Sequence, residues 1–487
     1  MKIGIDFGTS YSCAAAVKNG QIEHIMFSDQ TQFRTSVFFP DKAVDLTGFQ
    51  LTARNEQEIS EAIRAAKASY AKRLAEYKRD IATIEALARS DEQSDASDLA
   101  ERRAMIAKPR LSSDQDLRNS AINAIKRQWL SDQISSAKDA DIQLDTAIFG
   151  EEAIDALFIY ESGRLVQSPK SMLGFGLAKP QRSYITSIVT RILKHIREQA
   201  SEQLGQQITQ ATLGRPVRFR GSMGEQAVQI LQEAAKEAGF DNVDFLPEPS
   251  AAAVGYHARS PSAHTALIID IGGGTTDIAL AEVGGNTPSP TILKTWGEPK
   301  GGTDVDLGLS LRTVMPLFGH GTCAKLLAPV FVDAASVSDL NRQKNFRDRK
   351  FRHIDPPYAS RLLALQQPGV TVRLNRDVEK LKIELSQNQQ SECAIDYVEP
   401  LLVARATQAE LAQGAEKFMR SFVALLHQVN EELHSNRPVL FLTGGMSQAT
   451  YVIAAVKQVF PDCQFAPANA SLGVVDGLAV HASMTQE

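Results

Sequence analysis

"ALIIDIGGGTTDIALAEV" runs from Ala266 to Val283. Apolar residues lead into Asp270, three glycines follow at 272–274, then Thr275, Thr276 and Asp277, and the chain turns apolar again. Each apolar run predicts a buried strand, and the glycines predict a tight turn between them. Bare backbones in such a turn can aim successive N–H groups into one concavity, which suits phosphate oxygens. Thr275 and Thr276 add hydroxyl donors. The carboxylates of Asp270 and Asp277 would repel a phosphate directly, and make sense only with a divalent cation between, Mg²⁺ in its water shell. The N-terminus repeats the phrase with fewer glycines: "KIGIDFGTSYSCAAAV", Lys2 to Val17, offers Asp6, Gly8, Thr9, Ser10 and Tyr11. One such loop alone is a turn. Two of them, 264 residues apart from Asp6 to Asp270, describe a nucleotide clamped between duplicated lobes.

The bulk properties exclude several classes. A chain of 487 residues has room for two or more domains, and its net charge of −5 gives no global pull toward nucleic acid or an anionic membrane. No apolar run reaches the length of a membrane span, and Asp6 interrupts what would be the core of a signal peptide. Cys13, Cys323, Cys393 and Cys463 are scattered, with no Cys-x-x-Cys pair, so neither a zinc site nor a disulfide framework is indicated and a reducing cytoplasm is expected. The chain has no Gly-Lys dipeptide, hence no P-loop, and no Gly-x-Gly-x-x-Gly opening a helix after a strand.

Along the chain, Asn19-Gly20 predicts a hairpin turn between "SCAAAVK" and "IEHIMF". From about Glu56 the texture becomes helical: Ile59, Ile63, Ala66, Tyr70, Leu74, Tyr77, Ile81, Ile84 and Ala88 recur at steps of three and four, a seam of roughly eight turns. A weaker pattern returns at Leu117, Ala121, Ile125 and Trp129. Residues 41–146 are therefore an insertion, mainly helical at 55–136, either a solvated spacer or a docking arm for a protein partner. After it, strands and helices alternate, which implies α/β layers. The run "RQKNFRDRKFRH", Arg342 to His353, is either an anion-binding surface or a solvated face.

With these motifs in hand, the chain resembles the actin-like ATPase superfamily, and within it the DnaK-type heat-shock chaperones. "IGIDFGTSYS" resembles that family's first phosphate motif and "DIGGGTTD" its second. "QSPKSMLG", Gln167 to Gly174, falls where the family carries its catalytic lysine, and "PEPSAAAVGY", Pro247 to Tyr256, resembles its connecting segment. "GGTDVD" (301–306), "VEKLKIELS" (378–386) and "TGGMS" (443–447) resemble the segments that follow. All seven occur in family order, over roughly 1–40 and 147–487; the "SPKS" form looks most like the YegD branch of putative chaperones.

The resemblance implies a two-lobed actin-like (ribonuclease H-like) α/β fold with a long helical insertion in the first lobe. Lobe I would hold 1–260 and 464–487, and lobe II 261–463 with an outer part at about 301–400. It implies ATP/ADP and Mg²⁺ as ligands and slow ATP hydrolysis. Asp6, Asp270 and Asp277 would hold Mg²⁺ through water, with Glu248 ordering water nearby and Lys170 and Thr275 at the γ-phosphate. Gly8, Thr9, Ser10, Tyr11, Gly272, Gly273 and Gly274 would contact phosphates, with Gly301 and Gly302 beside them. Glu379 and Lys382 would flank the ribose, and Ser386, Gly444 and Gly445 the adenine. The adenine side departs from the family: Ile383 and Gln448 stand where arginines are usual and Met446 replaces a serine. No counterpart of the family's linker, peptide-gripping β-sandwich and lid is seen after "LGVVDGLAVHASMTQE", so a direct grip on hydrophobic peptides is not expected. A partner protein reading a nucleotide-driven clamp is the expected biology. An actin-like scaffold and a small-molecule kinase on the same fold are the alternatives.

Overall fold

The computed structural model describes residues 1–40, 49–90, 147–159, 163–433, 437–466 and 472–485, with 114–115, 117–118, 121–122 and 125 in between. They form two compact units, one made of 1–39, 147–157 and 163–487, the other of 40–146 and 158–162. The second unit contains the helix Ala53–Ser90, 38 residues long, or about ten turns. Its apolar seam sets its orientation: Ile59 is fully buried, Ile63, Ala66, Tyr70, Leu74, Tyr77 and Ile81 are half-buried, and most residues between them face water. Arg118 pairs with Glu56 at 2.6 Å and Lys67 with Asp114 at 2.8 Å. The side chains of Ile84 and Ala88, and all of Trp129, lie outside the described residues.

The first unit is built on two sheets of related topology. In the first, β1 (Lys2–Phe7) pairs antiparallel with β2 (Tyr11–Lys18), and β2 pairs antiparallel with β3 (Gln21–His24) and β4 (Gln32–Arg34). A small sheet of β5 (Ser36–Pro40), β6 (Ile148–Phe149) and β7 (Gly163–Gln167) follows. The other side of β1 pairs parallel with β8 (Gln210–Arg215), which pairs parallel with β9 (Asn242–Pro247). In the second large sheet, β10 (His264–Ile271), β11 (Thr276–Val283) and β12 (Thr291–Glu298) form the antiparallel run. Beyond the hairpin β13 (Gln390–Ala394) and β14 (Val403–Thr407), β15 (Val439–Thr443) pairs parallel with β10. Each sheet is thus an antiparallel meander whose first strand carries a parallel neighbour on its other edge. The predicted Asn19-Gly20 hairpin is present, with both residues at positive φ as a two-residue turn requires.

Burial explains the strand sequences. β1 and β10 are central, covered on both faces, and read as near-continuous apolar runs. The helix Lys179–Leu204 buries Ile185, Ile188, Val189, Ile192 and Ile196 in the first core, beside Ile230 and Leu231 of the helix Gly224–Glu237. The helices Glu248–His257 and Gly473–Met484 cross where the two sheets approach. Glycines allow that crossing: a Cβ on Gly477 would overlap the Ala251 carbonyl, and one on Gly255 would come within 3.1 Å of the Gly477 nitrogen.

Candidate nucleotide site

The β1–β2 and β10–β11 turns meet tip to tip. A Cβ on Gly274 would stand 2.5 Å from Thr9 Oγ1, and one on Gly273 would overlap Ser10 Oγ. Gly273 and Gly274 therefore have a tertiary reason: the side chains of the first turn occupy the space that their Cβ atoms would need. The next segment is bonded to the second turn as well, with the Gly302 N–H donating to Gly272 O at 3.0 Å and the Thr303 N–H to Gly273 O at 2.8 Å.

Beside these turns lies a cavity of about 410 Å³. Asp6, Gly8, Thr9, Ser10 and Tyr11 wall it from the first sheet, and Asp270, Gly272, Gly273, Gly274 and Thr275 from the second. Lys170 and Glu248 belong to the same wall. Lys170 sits in the 3₁₀ turn Pro169–Met172 and donates to the carboxylate of Glu248, the first residue of its helix; both side chains are buried. Burial opposes charge on this lysine, but Glu248 and Asp6 outweigh it and hold its pKa above the ordinary value. Burial and the Glu248 carboxylate push Asp6 up to about 7, against the pull of Lys170. Burial, with Glu248, Asp277 and Asp6 as like charges, drives Asp270 well above the usual carboxylate range. Such a crowd of buried carboxylates is a poor resting place for negative charge and a good setting for a cation. Among the described residues no three His, Cys, Asp or Glu groups are placed to ligate one ion directly. Asp277 lies behind the wall, fully buried, where its Oδ1 accepts from the Val217 N–H at 2.8 Å.

The far end of the cavity is made by the helix Val370–Leu385 and the turn after β15. Glu379, Lys382, Ile383 and Ser386 share one helical face and all line it. Lys382 pairs with Asp306 at 2.8 Å and approaches Gly302 O. Gly444, Gly445, Met446 and Gln448 close the wall, and Ile383 is 55% exposed, an aliphatic platform at the rim. Gly444 has φ of 85°, and a Cβ there would stand 2.5 Å from Ile271 O. Gly302 is in the wall, whereas Gly301 stands just outside it, its N–H donating to Asp304 at 2.9 Å.

Sequence reasoning missed Arg34. Its guanidinium donates to Glu151 at 2.6 Å, to the Tyr11 hydroxyl at 2.9 Å and to Glu379 at 2.6 Å, so one side chain joins the first phosphate turn to the far helix. A single arginine in "QFRTSVFF" carries no spacing signal that could have revealed this. The basic run 342–353 divides between two roles. Phe346 and Phe351 are buried, and Arg342 and Arg349 both clamp the buried Asp333, while Lys344, Arg347, Lys350 and Arg352 face solvent.

The family model "Hsp70 protein" matches residues 167–311, a stretch that includes Lys170, Glu248 and the whole second glycine turn. A chaperone protein dnaK of Gracilaria tenuistipitata var. liui is 36% identical over 120 residues, 24% of this chain and 18% of the relative. A chaperone protein DnaK of Prochlorococcus marinus (strain MIT 9515) is 31% identical over 212 residues, 43% of this chain and 26% of the relative. The matches thus span about a quarter or less of these relatives' own lengths. The family model and both relatives agree, and over these stretches the chain is similar to DnaK/Hsp70-type proteins.

Proposed function

We propose that the chain binds ATP with Mg²⁺ in the cavity between the two glycine turns and hydrolyses it slowly, on a two-lobed actin-like frame. Lobe I is 1–260 with 464–487, lobe II is 261–463, and 41–146 is an insertion into the first. The observation that carries this reading is the convergence of sequence-distant motifs on one wall, from Asp6 to Gln448. The turns offer backbone N–H groups and the hydroxyls of Thr9, Ser10 and Thr275 to phosphates. Asp6 and Asp270, with Asp277 supporting them from behind, would hold Mg²⁺ through its water shell, and the ion would supply neutralisation of phosphate charge. Lys170 stabilises charge on the γ-phosphoryl group, and Glu248 orders the attacking water. Water forms a bond to the γ-phosphorus as the bond to the bridging oxygen breaks, giving ADP and inorganic phosphate. Phosphoryl transfer asks mainly for such positioning and charge neutralisation.

The role is chaperone-like: a clamp whose state a partner protein reads, in the cytoplasm. The half-buried part of the apolar seam, Tyr70–Leu74–Ile81 on the helix Ala53–Ser90, is the contact proposed for that partner, because its residues recur at helical spacing; Ile59, at the start of the seam, is fully buried. The test is calorimetric titration with ATP·Mg²⁺ followed by a single-turnover assay. Absence of ATP binding would sink the reading. Capture of a partner that survives Tyr70→Lys with Leu74→Lys would move the contact elsewhere.

A further inference from the structure

Among the described residues that wall the proposed nucleotide cavity, two carry aromatic rings, Tyr11 and Tyr451, and none is an arginine or a histidine. Tyr11 belongs to the β1–β2 turn and its ring is already covered: the Arg34 guanidinium lies 4.9 Å from its centroid and also donates to its hydroxyl. The two lysines of the wall are engaged as well, Lys170 by Glu248 and Lys382 by Asp306. Tyr451 is different. It is the second residue of the helix Thr450–Val459, just past the turn after β15, so it stands at the far end of the cavity with Ile383 and Gln448. No ring or cation among the described residues stacks on it. Its hydroxyl is shut off from solvent and has no hydrogen-bond partner among the described residues. Burial, with Asp306 as a nearby negative charge, raises the pKa of this phenol, so it stays protonated. A half-buried tyrosine that hides its hydroxyl can meet the cavity only with its ring.

We propose that Tyr451 is the stacking platform for the nucleobase, with the aliphatic Ile383 covering the base from the rim, and that this end of the site selects purines by ring area rather than adenine by its edge. This rests on the reading that the cavity binds ATP. Stacking tolerates a change of base, because every base has a π-face. The amides that the wall offers to the base edge are those of Gln387 and Gln448. An amide both donates and accepts, so it can meet an amino group or an oxo group by turning over. The two purines are therefore held almost equally well, while a pyrimidine covers less of the ring.

Calorimetric titration with the Mg²⁺ complexes of ATP, GTP, CTP and inorganic tripolyphosphate tests this. Wild type should bind ATP about tenfold tighter than tripolyphosphate, the scale of one base on an aromatic ring, with GTP within about tenfold of ATP and CTP weaker than both. Tyr451→Leu should weaken ATP and GTP alike by about tenfold and leave tripolyphosphate within about threefold, which also shows that the phosphate end is intact. Tyr451→Phe should keep ATP within about threefold, since the hydroxyl does not face the base. Etheno-ATP adds a spectroscopic check: stacking should quench its fluorescence on wild type and on Tyr451→Phe, but not on Tyr451→Leu. If Tyr451→Leu does not fold, the base series and the quenching on wild type carry the decision. The proposal fails if Tyr451→Leu binds ATP as wild type does, if it loses tripolyphosphate to the same degree, or if etheno-ATP binds wild type without quenching. A wild type that binds tripolyphosphate as tightly as ATP removes the base platform and leaves the phosphate turns standing. One that binds none of these ligands overturns the ATP reading itself.

Discussion

In the β1–β2 turn Gly8 stands alone, and a Cβ there would overlap the Tyr11 carbonyl of the same turn. In the β10–β11 turn, Gly273 and Gly274 are bare because Ser10 and Thr9 of the other turn fill the space above them. The two phrases look like copies, yet the first contributes side chains and the second contributes backbone. Gly8 answers to local geometry; Gly273 and Gly274 answer to partners 263 and 265 residues away. The asymmetry extends outward. Lys170 and Arg34 lie on elements that neighbour the first sheet, while the second turn's nearest guanidinium, Arg220, serves to hold its Gly274 carbonyl. At the contact between the turns, one copy thus supplies side chains and the other bare backbone.

The largest test of this division is Lys170→Ala. Single-turnover ATP hydrolysis should fall about 10²-fold or more, the usual scale for one electrostatic group at a transition state. ATP affinity should largely survive, since both turns remain. Wild-type turnover would show that the first half does not carry the charge chemistry.

The glycines give a sharper test. Gly273→Ala should weaken ATP binding by about 1–3 kcal/mol, the range of overpacking in a close-packed site. Ser10→Gly in the same chain should recover part of that loss, because it empties the space the new methyl needs. Gly8→Ala should not be rescued by Ser10→Gly, since its clash lies with its own turn. Calorimetric coupling near zero between positions 10 and 273 would break the comparison.

Acid should separate the halves as well. His195 stacks on Phe149 at 4.2 Å and lies against Phe27 and Phe33, and burial lowers its pKa from 6.5 to about 4. A histidine kept neutral in the folded state contributes stability that is present above its unfolded pKa and lost as pH falls from about 6.5 toward 4. Between pH 7 and 5 the loss should be about 2 kcal/mol. Hydrogen exchange should show the first sheet losing protection before the second, and His195→Phe should flatten that dependence.

The smallest effect is expected at the rim. Ile383→Arg places a guanidinium where a nucleobase can stack and should tighten ATP by about 0.5–2 kcal/mol. A loss of affinity in calorimetry would mean that the base lies elsewhere than against the helix Val370–Leu385.

Much of the site was legible in the chain because each motif is local. The turn between two apolar runs shows its glycines, and Glu379, Lys382, Ile383 and Ser386 show one helical face by spacing alone. The helix Ala53–Ser90 was legible for the same reason, its seam being periodic; the structure carries it about two turns further than the seam suggested. The pairing of β1 with β8 and of β10 with β15 had only the alternation of elements to indicate it, since parallel partners share no turn.

What the sequence by itself determined is therefore the list of chemical parts: two aspartate turns, a lysine, a glutamate opening a helix, and the helix face of Glu379, Lys382, Ile383 and Ser386. Local periodicity and backbone freedom are properties of neighbouring residues, and they survive in any context. Only the tertiary structure decided how the parts act on one another. It set Thr9 and Ser10 against Gly274 and Gly273, tied Arg34 to Glu379, anchored Arg220 on Gly274, and raised the carboxyl of Asp6 to about 7 by burial beside Glu248. Close packing and desolvation act between groups brought together by the fold, and the order of residues along the chain does not contain those distances.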